Sequence, residues 1–153
     1  MKKLILILAI LLMAAGSGVC NGPPDFEGAK QAAEQGDSHA QCQLGLFYFF
    51  GIGDVSKDDE QAVYWFTKSA EQGHAAAQSS LGDCYYLGRG VPENYIQAYK
   101  WASLATILGD DHIRSNSTLL LQGLTLKMTP EQIEEGQKLV AEWYEKFQAK
   151  GNK

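Results

Sequence analysis

The 153-residue chain has no clustered positive charge. Its 13 Lys and Arg residues are dispersed and are outnumbered by 18 Asp and Glu. Phosphate contacts need grouped Lys and Arg, so a nucleic-acid partner is not expected. Beyond the first 18 residues no apolar run approaches the roughly 20 residues that a spanning helix needs. The glycines outside the helical patterns read as helix ends and form no phosphate-cradling loop. Cysteine is sparse too, with three residues in all. No nucleophile is accompanied by both a base and an orienting group. The nearest approach is Cys42 with His39, at helical spacing and without an acidic partner or an oxyanion motif. Nothing in the pattern asks for a metal or another cofactor.

What is present begins with a three-part N-terminus. Met1-Lys2-Lys3 is basic, Leu4 to Ala15 is apolar, and Ala14 to Gly18 is small. This layout is that of a secretory signal, here residues 1–19, and it implies a chain exported to a periplasm or secreted. Removing Lys2 and Lys3 with it leaves 11 basic against 18 acidic residues, a balance of −7. An uncleaved anchor is the alternative. Cys20 raises lipid anchoring, but the bulky Val19 before it fits that processing badly. Cleavage near Gly16 to Cys20 is the expectation, leaving no membrane span in the mature chain.

The organisation of the rest emerges when the chain is laid on itself. At an offset of 37, Glu34-Gln35-Gly36 falls on Glu71-Gln72-Gly73, Ala40-Gln41 on Ala77-Gln78, and Leu44-Gly45 on Leu81-Gly82. Tyr48 falls on Tyr85, Gly51 on Gly88 and Gly53 on Gly90. One extra residue near Asp54 shifts the register to 36, which aligns Val55 with Val91, Trp65 with Trp101 and Gly73 with Gly109.

Each unit reads as two helices. The first spans residues 38–50, with its copy at 75–87. Leu44 and Tyr48 share a face at i, i+4. A mid-helix Gly45 costs about 1 kcal/mol relative to Ala, so its recurrence as Gly82 predicts close approach of a neighbouring helix backbone. Gly51 and Gly88 supply the positive φ that ends a helix. The second helix is expected to start near Asp58 in one unit and Pro92 in the other, with proline in the first turn. Trp65 and Trp101 fill the space between helices.

A single pair cannot bury its apolar face; stacked pairs share one core. The expected organisation is an N-terminal half-repeat at 25–37, units at 38–73 and 74–109, and a degenerate repeat with a capping helix at 110–150. Thr129, Pro130 and Gln132 make a cap, first-turn proline and capping-box partner for that last helix. Ile133, Gln137, Val140, Trp143, Tyr144 and Phe147 form its expected buried stripe.

Ala77-Gln78-Ser79-Ser80-Leu81-Gly82, followed by Tyr85, Gly88-Arg89-Gly90-Val91-Pro92, Ala98, Trp101 and Gly109, resembles a Sel-1-like repeat, a relative of the tetratricopeptide repeats. The resemblance covers about residues 25–150. It implies an all-α, right-handed superhelical solenoid of antiparallel helix pairs. It implies an adaptor or scaffold that binds a protein or peptide, and no catalytic residues. In such arrays the first helices line the concave side. That places Gln43, Phe47 and Phe50, with counterparts Ser80, Cys84 and Leu87, in a candidate protein-binding groove. Packing between units is the competing reading of these six. An extracytoplasmic hydrolase and a structural subunit of an envelope complex are the alternative functions.

His39, His74 and His112 each fall near a turn between units, along one edge; polar turn residues are the simpler reading than a metal site. Cys42 and Cys84 are not repeat equivalents. They differ by five helical positions, about 7.5 Å of rise, plus a lateral gap of about 8–10 Å between helices. A disulfide needs Cα atoms within about 7 Å, so two buried thiols are expected.

Overall fold

The computed structural model describes residues 25–151, and every regular element among them is α-helix. The expected signal segment and Cys20 lie outside the described residues. The helices are α1 (Phe26–Glu34), α2 (Ser38–Phe50), α3 (Asp59–Glu71), α4 (Ala75–Leu87), α5 (Tyr95–Leu108), α6 (Asp111–Thr125) and α7 (Pro130–Gly151). Each of α1 to α5 packs on the next in chain order, and α4 also touches α6. The result is a helical solenoid.

The core repeats with the sequence. Ala33, Ala40 and Leu44 are buried together, with Tyr48 and Trp65 packed on them. One unit on, Ala70, Ala77 and Leu81 are buried with Trp101, and Tyr85 packs against them. Trp65 and Trp101 therefore occupy equivalent surroundings. A fully buried Leu such as Leu44 or Leu81 contributes about 1.5–3 kcal/mol through loss of apolar surface to water.

A paired polar bond repeats as well. Gln41 donates through Nε2 to the Ala33 carbonyl at 3.1 Å, and Gln78 donates to the Ala70 carbonyl at 3.1 Å. These carbonyls end α1 and α3, where helix geometry leaves acceptors without partners. The Ala-Gln pair of each repeat thus ties a first helix to the end of the helix before it.

Helix starts carry their own caps. Asp37, Asp58, Asn94 and Asp110 each accept from the backbone N–H three residues on. Thr129 and Gln132 form a reciprocal capping box at the head of α7, at 3.0 and 3.3 Å. Asn94 starts α5, so Pro92 lies in the preceding loop and not in the first helical turn expected for it. The chain cannot begin the helix at Pro92 and also use Asn94 as its cap.

The two mid-helix glycines behave differently. At Gly82 the nearest neighbour is backbone, the Ala102 nitrogen, 3.3 Å from where a Cβ would stand. At Gly45 the neighbour is the Phe66 ring, whose Cδ1 and Cε1 lie 2.6 Å from that point. Backbone approach is correct for Gly82 only. Phe66 and Ala102 are repeat equivalents, and the larger ring holds the α3 backbone away from Gly45.

After α6 the stack changes. Helix α7 packs chiefly on α5. Gly136 is buried under the Tyr99 ring, and Trp143 meets Trp101 edge to face at 6.2 Å. Phe147 stacks on Trp143 at 4.8 Å and reaches Gly73 at the end of α3. Gln137, expected in the buried stripe, is exposed, because the close contact with Tyr99 is made by Gly136 beside it.

Candidate functional site

The candidate groove residues separate into two groups. Phe50 and Leu87 are 41% and 58% exposed at the C-terminal ends of α2 and α4, and are repeat equivalents. Gln43 and Ser80 are half-buried. Phe47 and Cys84 are 5% and 1% exposed and belong to the interior. That is a correction, with a simple cause. Residues 43, 47 and 50 share a face by spacing, as do 80, 84 and 87, but Phe26 of α1 covers Phe47 and Cys84 sits in the core cluster. Asp83 is the outward residue beside Cys84, whereas Leu46 beside Phe47 packs on the core. The Phe26 and Phe47 rings meet edge to face at 5.5 Å, which fixes Phe47 between α1 and α2. Phe47 also borders a cleft of about 570 Å3 with Phe26, Ile52 and Val55, beside the carboxylates of Asp25, Glu27 and Asp54.

The accessible face is therefore apolar at its ends and polar in its middle. Phe50 is held edge to face against Phe49 at 5.0 Å. Phe49 in turn carries the Arg89 guanidinium 3.7 Å from its ring centre, and Arg89 pairs with Asp59 at 2.7 Å. This chain of contacts joins α2, α3 and the loop after α4 behind Phe50. The hydrogen bond from Arg89 holds the Asp59 carboxyl below its ordinary pKa. Partial burial pushes the Asp83 carboxyl above its ordinary value.

The interior thiols do no chemistry here. Cys42 and Cys84 are unbridged and buried, and desolvation pushes each pKa up to about 12. A thiolate is the reactive form, so both are inert at neutral pH. Among the described residues no three His, Cys, Asp or Glu side chains converge on a possible metal position. No described helix is long and apolar enough to cross a membrane.

The histidines hold a feature that the sequence did not disclose. His39 Nδ1 and His74 Nε2 face each other at 3.4 Å, and His39 Nε2 faces the Gln43 amide at 3.1 Å. His112 is exposed at the start of α6. The only advance signal was the offset itself, which puts His74 where the other units have Asp37 and Asp110.

The description Sel1 repeat matches residues 38–74 and 75–110. The chain carries two Sel1 repeats. A solved Sel1-like neighbour, the protective antigen c5321 of uropathogenic Escherichia coli, is 35% identical with a TM-score of 0.73, over 80% of this chain and 25% of the antigen. A Sel1 repeat protein from Oxalobacter formigenes is 37% identical with a TM-score of 0.56, over 61% of this chain and 38% of that one. Two Arabidopsis thaliana proteins, the ERAD-associated E3 ubiquitin-protein ligase components HRD3B and HRD3A, are 42% and 36% identical over 45 residues. That stretch is 29% of this chain and only 8% and 7% of theirs. Sel1 repeats mediate protein–protein interaction.

Proposed function

We propose that this chain is an exported, non-enzymatic adaptor that holds a protein or peptide along the outward face of α2 and α4. The observation that carries the reading is the exposed pair Phe50 and Leu87, set at equivalent positions of consecutive repeats. Apolar anchors at regular spacing on a stacked scaffold suit an extended apolar partner, and a few such side chains supply most of an interface's energy. Gln43 and Ser80, with Asp83 between the two ends of the α4 stripe, supply polar selectivity. The relatives named as components of a ligase assembly support a scaffold role in general terms. Export rests on the basic-apolar-small layout of residues 1–19.

The test is capture from the native compartment with the purified mature chain, followed by mass spectrometry. A partner retained by the natural chain and lost by a Phe50→Ala, Leu87→Ala variant of unchanged melting temperature supports the reading. A partner retained equally by both overturns the assigned face. N-terminal sequencing of the cell-derived protein tests export, since an intact Met1 would contradict it.

A further inference from the structure

Helices α2, α4 and α6 start at equivalent places, and their caps are Asp37, His74 and Asp110. The two aspartates accept from Ala40 and Ile113 N–H at 2.7 and 3.0 Å. His74 accepts from Ala77 N–H through Nδ1, at 3.4 Å. A carboxylate remains an acceptor throughout the neutral range. An imidazole nitrogen accepts only while it carries no proton.

The cap fixes the rest of the hydrogen-bond chain. With Nδ1 accepting, the single proton of neutral His74 sits on Nε2 and is donated to His39 Nδ1. His39 then carries its own proton on Nε2, 3.1 Å from the Gln43 amide nitrogen, so that amide must turn to offer its oxygen. The opposite assignment would place the His74 Nδ1 proton against the Ala77 N–H. One protonation state therefore satisfies the cap and the contact between α2 and α4 together.

We infer that the His39–His74 pair is a proton-operated latch between the two repeat units. A second proton on His74 turns the Nδ1 acceptor into a donor aimed at another donor, and puts a cation at the positive end of the α4 dipole. A second proton on His39 sets Nδ1–H against the His74 Nε2–H. The first event opens the α4 cap and leaves the Nε2–H bond to His39 in place; the second breaks the tie between α2 and α4.

The surroundings fit. Burial, then the neighbouring His39, lower the His74 pKa, while Asp37 opposes them. From α7 the uncharged Phe147 ring comes near, over Gly73. A histidine lowered in the folded state contributes stability that is present above about pH 6.5 and is lost as pH falls below it, because the unfolded chain then binds the proton more readily. The latch does not depend on the proposed binding face.

The experiment is amide hydrogen exchange at Ala77 and Gln78 in the mature chain, at pH 7.5 and 5.5 and corrected for intrinsic rates, with an NMR titration of His74. Opening at pH 5.5 is expected to rise roughly 2- to 30-fold, the worth of one N-cap. His74→Asp, which installs the cap of the other units, is expected to abolish the rise. His39→Ala, at an exposed position, is expected to move the His74 titration upward, and it carries the test if His74→Asp fails to fold. Equal pH dependence in natural chain and His74→Asp, or a His74 titration at or above 6.5 in the natural chain, would overturn the latch. A His74 titration unmoved by His39→Ala would do the same. Partner binding is absent from these readouts, so they stand or fall separately from the adaptor reading.

Discussion

The Phe147 ring stands over Gly73, and a Cβ on that glycine would come within 2.5 Å of Cζ. Gly73 also has a positive φ of 88°. Gly73→Ala therefore strains the turn and displaces the ring, an expected loss of roughly 2–4 kcal/mol. Phe147→Ala is expected to cost less, about 1–3 kcal/mol, because the ring is only half-buried. Urea unfolding followed by tryptophan fluorescence measures both, and a neutral Phe147→Ala would show that the docking of α7 contributes nothing there.

Gly45 and Phe66 make a second test, through a double-mutant cycle. Gly45→Ala drives a methyl into the ring and is expected to destabilise by about 1–3 kcal/mol. Phe66→Ala empties a fully buried site and is expected to cost about 3–5 kcal/mol. The double variant should lose clearly less than the sum, because the new methyl enters the vacated space. Strict additivity would mean that the two residues do not share that space.

The buried thiols predict silence. At pH 8 a thiol reagent should leave Cys42 and Cys84 unmodified in the folded chain, since their pKa values stand at about 12. Peptide mapping should find both modified once denaturant is added. Rapid labelling of either residue in the folded state would contradict its burial.

Arg89 lies over Phe49 and pairs with Asp59 at the same time. Arg89→Met is expected to cost about 1 kcal/mol, the usual scale of partly exposed ion pairs and cation–ring contacts. Arg89→Lys should recover only part of it, because an ammonium cannot lie flat on the ring. Asp59 is lowered, so the pair's contribution is present above the ordinary carboxylate value of 3.8 and fades as pH falls through the lower folded value. Acid titration of stability in the natural chain and in Asp59→Asn checks the sign.

The repeat register made α2 and α4 legible to the residue, because Leu44, Tyr48 and the terminal Gly51 recur as Leu81, Tyr85 and Gly88. The Trp65 and Trp101 environments followed from the same spacing. Periodicity did not separate Phe47 from Phe50, since an apolar helix buried on several sides has no sharp polar edge. It also did not reveal which surface α7 would cover. That depends on Gly136 admitting Tyr99 and on Trp143 meeting Trp101, contacts between distant parts of the chain with no counterpart in the repeat. The His74 cap was missed because histidine is not a usual N-cap residue, although its alignment with Asp37 and Asp110 pointed to it.

The return of α7 across α5 to the end of α3 has a mechanical consequence. In the rest of the stack, tension applied at one end passes from each helix to its neighbour. A pull on Gly151 would instead load Phe147 and Trp143 first, peeling one long lever away from Gly73 and Trp101 before the repeats feel the force. Unfolding under load from that end should therefore begin with a separate, low-force step that exposes the Trp101 surface while both repeats remain folded.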